Sequence, residues 1–245
     1  MKGQNVASAL EAIESRHVFA LWTWHATGGM RSCNQFFGET RMRSPLQILL
    51  SSAVLLPSSL LAVAPVSAQA SDPAQAPVKA LDDGLLGIMK SGKPAAARAA
   101  AIGPVIDRSF DLPLMTRLSV GAGWTTANAA DQSALVAAFR RMTIAQYAKN
   151  FDSWSGQALT IDPKVDTRGG DRLVRTTLSS KSGSPTALSY RLRQSGGSWK
   201  IIDVFYRNSI SQLATRRADF ASVLQSGGAK ALVTHLDELA AKSTK

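Results

Sequence analysis

From Val78 onward the apolar positions follow first one period and then another. Val78, Leu81, Leu85, Ile88 and Met89 recur at intervals of three and four, the spacing of one helix face. "SGKP" (Ser91 to Pro94) should end that helix. An alanine-rich helix follows from Ala95 to about Ile106, with a bend or interruption expected at Gly103–Pro104. In "FDLPLMTRLSVGAGW", Asp111 can cap a helix and Pro113 fits its first turn. Leu114, Met115 and Leu118 line one side, and Gly121 and Gly123 close it. Asp131 is placed to cap a longer helix, whose apolar face carries Leu135, Val136, Phe139, Met142 and Tyr147.

After Phe151 the period drops to two. Strands are predicted at Ala158–Ile161, Asp171–Ser180, Thr186–Gln194 and Trp199–Arg207, separated by the turn sequences Gly169–Gly170, "SGSP" and "SGGS". The third alternates cleanly, with Leu188, Tyr190 and Leu192 against Ser189, Arg191 and Arg193. The fourth is apolar on both sides. Strict alternation puts Trp199, Ile201 and Phe205 on one face and Ile202, Val204 and Tyr206 on the other, with Asp203 interrupting the first. Such a strand is either buried on both sides or has core behind it and a ligand in front. Helices return with Leu213, Phe220 and Leu224, break at Gly227–Gly228, and end with Leu232, Val233, Leu236 and Leu239. Helices, then strands, then helices predict an α+β fold: a curved antiparallel sheet of about four strands with helices packed on one side.

The first 77 residues do not fit that domain. "MRSPLQILLSSAVLLPSSLLAVAPVSAQA", from Met42, has the layout of a secretory signal peptide. Arg41 and Arg43 are its positive region, and small residues at Val66–Ala70 form the cleavage region. The rival is an uncleaved membrane anchor, but Pro57 and several serines dilute the apolar run. Residues 1–41 then read as an extension ahead of the true start, 42–70 as signal peptide, 71–77 as a linker and 78–245 as a single domain. N-terminal sequencing of the exported protein tests this.

Net charge is +11, which raises nucleic acid and anionic membranes as partners. The basic residues are scattered, as in Arg140–Arg141 and Arg216–Arg217, with no zinc spacing, phosphate loop or RNA-binding motif beside them. A lipid surface is therefore favoured over nucleic acid. Five of the 28 Lys/Arg and three of the 17 Asp/Glu precede Gln69, so the exported chain stays at +9. It contains no cysteine, which excludes disulfides and thiol chemistry, and one histidine, His235, on a predicted surface helix. His17, His25 and Cys33 match no metal-ligand spacing. No metal or cofactor is expected.

Two segments carry a family resemblance. Phe110, Asp111, Met115, Gly121, Trp124 and Tyr147 stand where the MlaC-type, toluene-tolerance family of periplasmic lipid-binding proteins has its first signature. Trp199, Asp203, Val204, Arg217, Phe220 and Gly228 match its second. "NSISQLATRRADF" resembles most closely the hopanoid-associated HpnM branch, with Arg216 where the family usually has Tyr. The resemblance implies a nuclear-transport-factor-like cone with an apolar cavity. It also implies a monomeric carrier without enzymatic activity in the periplasm, taking a phospholipid or hopanoid between an inner-membrane lipid transporter and an outer-membrane complex.

An apolar, adaptable lining would suit such cargo. The candidates are Leu112, Leu114, Met115, Trp124, Phe139, Met142 and Tyr147 on helices. On the sheet they are Leu173, Leu188, Tyr190, Ile201, Val204, Tyr206 and Ile210. Each is also a plausible ordinary core residue at this level. Arg191, Arg193, Arg216 and Arg217 are candidates for headgroup contact or docking. Two alternatives stand beside the carrier: a cone-fold enzyme using Asp203 as base, and an interaction protein without cargo.

Overall fold

The computed structural model of the chain describes residues 71–181 and 184–244. The N-terminal extension, the export segment with its anchor alternative, and His17, His25 and Cys33 lie outside the described residues. Helix α1 (Gln75–Lys90) begins inside the stretch read as a linker. Asp72 starts it, its side chain accepting from the Ala74 N–H at 2.9 Å. Its buried face comprises Val78, Leu81, Leu85, Ile88 and Met89, as the spacing predicts, and also Asp82.

Helix α2 (Ala95–Ser109) continues through Pro104 without interruption. The carbonyl left without a donor is that of Ala100, on the exposed side where water replaces the lost bond. Asp111 caps α3 (Leu112–Val120) by accepting from the Leu114 N–H at 3.0 Å. Gly121 then turns the chain with φ 63° into the short α4 (Ala122–Thr126). Arg217 Nε lies 3.0 Å from where a Gly121 Cβ would sit, so the turn needs glycine twice over. Helix α5 (Ala129–Asn150) is capped by Asn128, which accepts from the Asp131 N–H. Asp131 is one turn inside, not the cap itself.

The sheet is an antiparallel meander, β1-β2-β3-β4-β5, one strand more than the pattern predicted. Its strands are β1 (Ala158–Arg168), β2 (Asp171–Ser179), β3 (Thr186–Ser195), β4 (Ser198–Tyr206) and the two-residue β5 (Ile210–Ser211). Helix α6 (Gln212–Thr244) follows, kinked at Gly228 with φ 65°, where the sequence predicts a break.

A bulge in β4 overturns the strict alternation expected there. Arg191 pairs with Asp203, but the next residue, Leu192, pairs with Ile201, leaving Ile202 extra. Trp199 and Ile201 before the bulge therefore share a face with Val204 and Tyr206 after it. Ile201 and Val204 both join the core under the helices. Phe110 bridges Ile201 along the open edge of β4, and the Asp111 N–H donates to the Ile201 carbonyl at 2.9 Å. That joint fixes the α2–α3 turn to the sheet.

Candidate functional site

Register determines which residues face the helices. Ile161, Thr176, Leu188, Tyr206 and Ile210 form one row across the sheet, and Val165, Val174, Tyr190 and Val204 the next. Six of the seven sheet candidates lie on this inner face: Leu188, Tyr190, Ile201, Val204, Tyr206 and Ile210. Leu173 does not. It is opposite Arg191 and Asp166, on the outer face. Alternation alone could not orient β2, because Leu173 and Val174 are both apolar.

The inner face differs from end to end. Val174, Tyr190, Leu192, Ile201 and Val204 are sealed at 4% exposure or less. Toward the end formed by the β2–β3 and β4–β5 turns, Leu159, Ile161, Leu178, Leu188 and Tyr206 are only half-buried, and Ile210 reaches 37% exposure. Among the helix candidates, Leu112, Met115, Phe139 and Met142 are buried in the same core, with Trp124 and Tyr147 packed against it. Leu114 is half-buried and stands apart from that cluster.

Set into this apolar interior is a carboxylate that the sequence reading missed. Asp82 is 4% exposed, and neither carboxylate oxygen has a hydrogen-bond partner among the described residues. Burial, reinforced by neighbouring Asp83 and opposed by Lys79, raises its pKa to about 7. It acts in turn on two interior phenols. Burial pushes Tyr147 up to about 12, with Arg216 opposing and Asp82 adding to the shift. Tyr190 is raised well above its ordinary value by burial, then by Asp82 and Tyr147, against the pull of the nearby Thr176 hydroxyl. Tyr147 stacks on Phe151 with centroids 5.8 Å apart and meets Phe110 edge-on at the same distance.

The four candidate arginines do not form one site. Arg191 and Arg193 lie on the outer face, both paired to the buried Asp171, whose pKa they lower. Arg217 is exposed beside Gly121. Only Arg216 turns inward. Its guanidinium lies 4.9 Å from the Phe139 ring centroid and donates to Gln146 Oε1 at 3.1 Å. Burial lowers its pKa, although the side chain keeps some accessible surface.

Asp203 is fully engaged, which removes it as a free base. Oδ1 accepts from the Val204 and Leu213 N–H groups at 2.8 and 3.1 Å, and Oδ2 from the Ser211 hydroxyl at 2.6 Å. Ser211 Oγ accepts from the Ala214 N–H. Asp203 and Ser211 together cap α6. Burial raises the Asp203 pKa and these bonds pull it back. Among the described residues no group of three His, Cys, Asp or Glu could hold a metal ion, and no helix is long and apolar enough to cross a membrane.

This constellation is one of containment: an apolar face, covered by helices, sealed at one end and loosely covered at the other. A family model described as "MlaC protein" matches residues 79–238. The chain belongs to the MlaC family. Among solved structures, this MlaC-family chain is similar to the phospholipid-binding protein from Ralstonia solanacearum, determined in complex with a phospholipid. The two are 28% identical with a TM-score of 0.61, over 70% of this chain and 99% of that one. No curated protein matches the chain. Family membership makes it a binding and transport protein rather than an enzyme, in keeping with the engaged state of Asp203.

Proposed function

We propose that this MlaC-family chain is a periplasmic lipid carrier. It encloses the acyl chains of one phospholipid between the inner face of the sheet and helices α1, α3 and α5. The observation that carries the reading is the match to a protein solved with a phospholipid bound, covering 99% of that protein. The inner face is consistent with it. Leu159, Ile161, Leu178, Leu188 and Tyr206 are apolar side chains that the fold leaves half-covered, at the end where chains would enter. A dozen methylenes withdrawn from water contribute roughly 10 kcal/mol, so tight binding requires no strong headgroup contact. Arg191 and Arg193 are occupied by Asp171, and the headgroup stays near solvent at the loosely covered end.

The carrier exchanges its cargo with an inner-membrane transporter and an outer-membrane complex, and works as a monomer. A hopanoid as cargo is favoured by the segment Asn208–Phe220 alone, where Arg216 departs from the family pattern. Solvent extraction of the purified protein, followed by lipid mass spectrometry, tests both levels. A co-purifying phospholipid supports the carrier reading, and a co-purifying hopanoid the narrower one. Protein free of any lipid would oppose both.

A further inference from the structure

The loosely covered end of the sheet carries a second feature that lipid enclosure does not require. The large hydrophobic side chains exposed among the described residues are Trp154, at 46%, and Ile210, at 37%. Trp154 lies in the loop entering β1, and Ile210 opens β5. The pairings Ala158 with Ser179, Leu178 with Thr186, and Leu188 with Tyr206 put the β1 entrance, the β2–β3 turn and the β4–β5 turn at one end of the sheet. Four strand spacings separate β1 from β5, about 19 Å.

Two lysines flank the tryptophan loop. Lys90, at the end of α1, holds its ammonium 5.2 Å from the Trp154 ring centroid. Lys181, in the β2–β3 turn, lays its aliphatic chain across Gly156, within 2.7 Å of where a Cβ would stand. Lys93 follows Lys90, and Arg207 lies over the Tyr206 ring at the β4–β5 turn. One acid, Asp152, lies in the same loop. Elsewhere several surface cations are held in ion pairs: Arg140 to Asp107, Arg141 to Asp237, Arg172 to Asp72, Arg175 to Asp166, and Arg191 and Arg193 to Asp171. Among the described residues, Lys90, Lys93 and Lys181 make no ion pair. The exposed indole thus has Lys90 against its face and Lys181 in the adjoining turn, with Asp152 the acid of its loop.

We propose that this rim docks directly on an anionic lipid bilayer, with Trp154 and Ile210 entering the interface and Lys90, Lys93 and Lys181 facing lipid phosphates. Trp154, whose N–H donates to the Gln157 carbonyl, leaves its apolar ring to enter the interface, and lysines within a Debye length are drawn to an anionic leaflet. The proposal rests on the carrier reading for its purpose, since docking holds the loosely covered end at the membrane surface where its transport partners exchange lipid.

Vesicle co-sedimentation tests it independently of cargo. The purified protein is mixed with vesicles of phosphatidylcholine alone or with phosphatidylglycerol added. Binding is expected only to the anionic vesicles, and is lost at high salt. Lys90→Glu with Lys181→Glu should weaken it by about tenfold or more. The same change of charge at the opposite end, Arg108→Glu with Arg168→Glu, should leave it nearly unchanged. Trp154→Ala should weaken binding without altering its salt dependence. No binding of wild type to anionic vesicles, as expected if the rim instead meets a protein, would overturn the proposal. Equal losses from the two charge pairs would overturn it as well. Lipid content of the same preparations reports separately on the carrier reading.

Discussion

Asp82 illustrates how one side chain can oppose the fold that contains it. It occupies the apolar stripe of α1, four residues after Val78 and three before Leu85, with no partner for either oxygen among the described residues. Its folded pKa, about 7 against an ordinary 3.8, means that the folded state holds the proton more tightly than the unfolded chain does. Raising the pH from about 4 to 7 therefore favours unfolding, and stability should level off above that window. The full effect is bounded at about 4 kcal/mol. Asp82→Leu should remove its share of the slope and be more stable at neutral pH by roughly 1–4 kcal/mol. Denaturant midpoints measured across that pH range check both points; a wild-type profile flat between pH 4 and 7 would contradict them. The position was legible, since it falls on the helical stripe already marked by Val78, Leu81 and Leu85. What hid it is that an acid within an apolar stripe reads as a gap in the stripe rather than a member of it.

At the scale of elements, capping and register explain most of what sequence could and could not reveal. Asp111 was legible as a cap because acid, proline and apolar run follow in fixed order. Asp131 was misplaced because Asn128, three residues earlier, accepts from the Asp131 N–H itself. The β4 bulge was illegible, since Ile201, Ile202 and Val204 are all apolar and either register looks satisfactory. The pairing with β3 decides it, and with it which face carries Asp203. That residue joins β4 to α6 through Leu213 and Ser211. Asp203→Ala should cost about 1–3 kcal/mol by stranding these donors, while Asp203→Asn, which keeps an acceptor at Oδ1, should cost less. Urea unfolding distinguishes the two, and an unchanged midpoint in Asp203→Ala would show that the helix start is held by other contacts.

For the whole molecule, the α+β class followed from a change of period along the chain, and the family from residues spread over both signatures. The division of the inner face into a sealed end and a loosely covered one did not follow, because a half-buried leucine and a fully buried one read alike in sequence. Leu188 marks the difference. It lies on the inner face in the same row as Tyr206 and retains accessible surface, whereas Val204, in the next row, is sealed at 4%. Leu188→Trp should thus fill space that cargo would use at a stability cost under about 1.5 kcal/mol, while Val204→Trp overpacks the core and should cost more. Native mass spectrometry of wild type and Leu188→Trp tests the carrier account most directly. The account predicts wild type carrying one bound lipid and a folded Leu188→Trp variant largely without it; wild type with no lipid, or a variant loaded as fully as wild type, would contradict it.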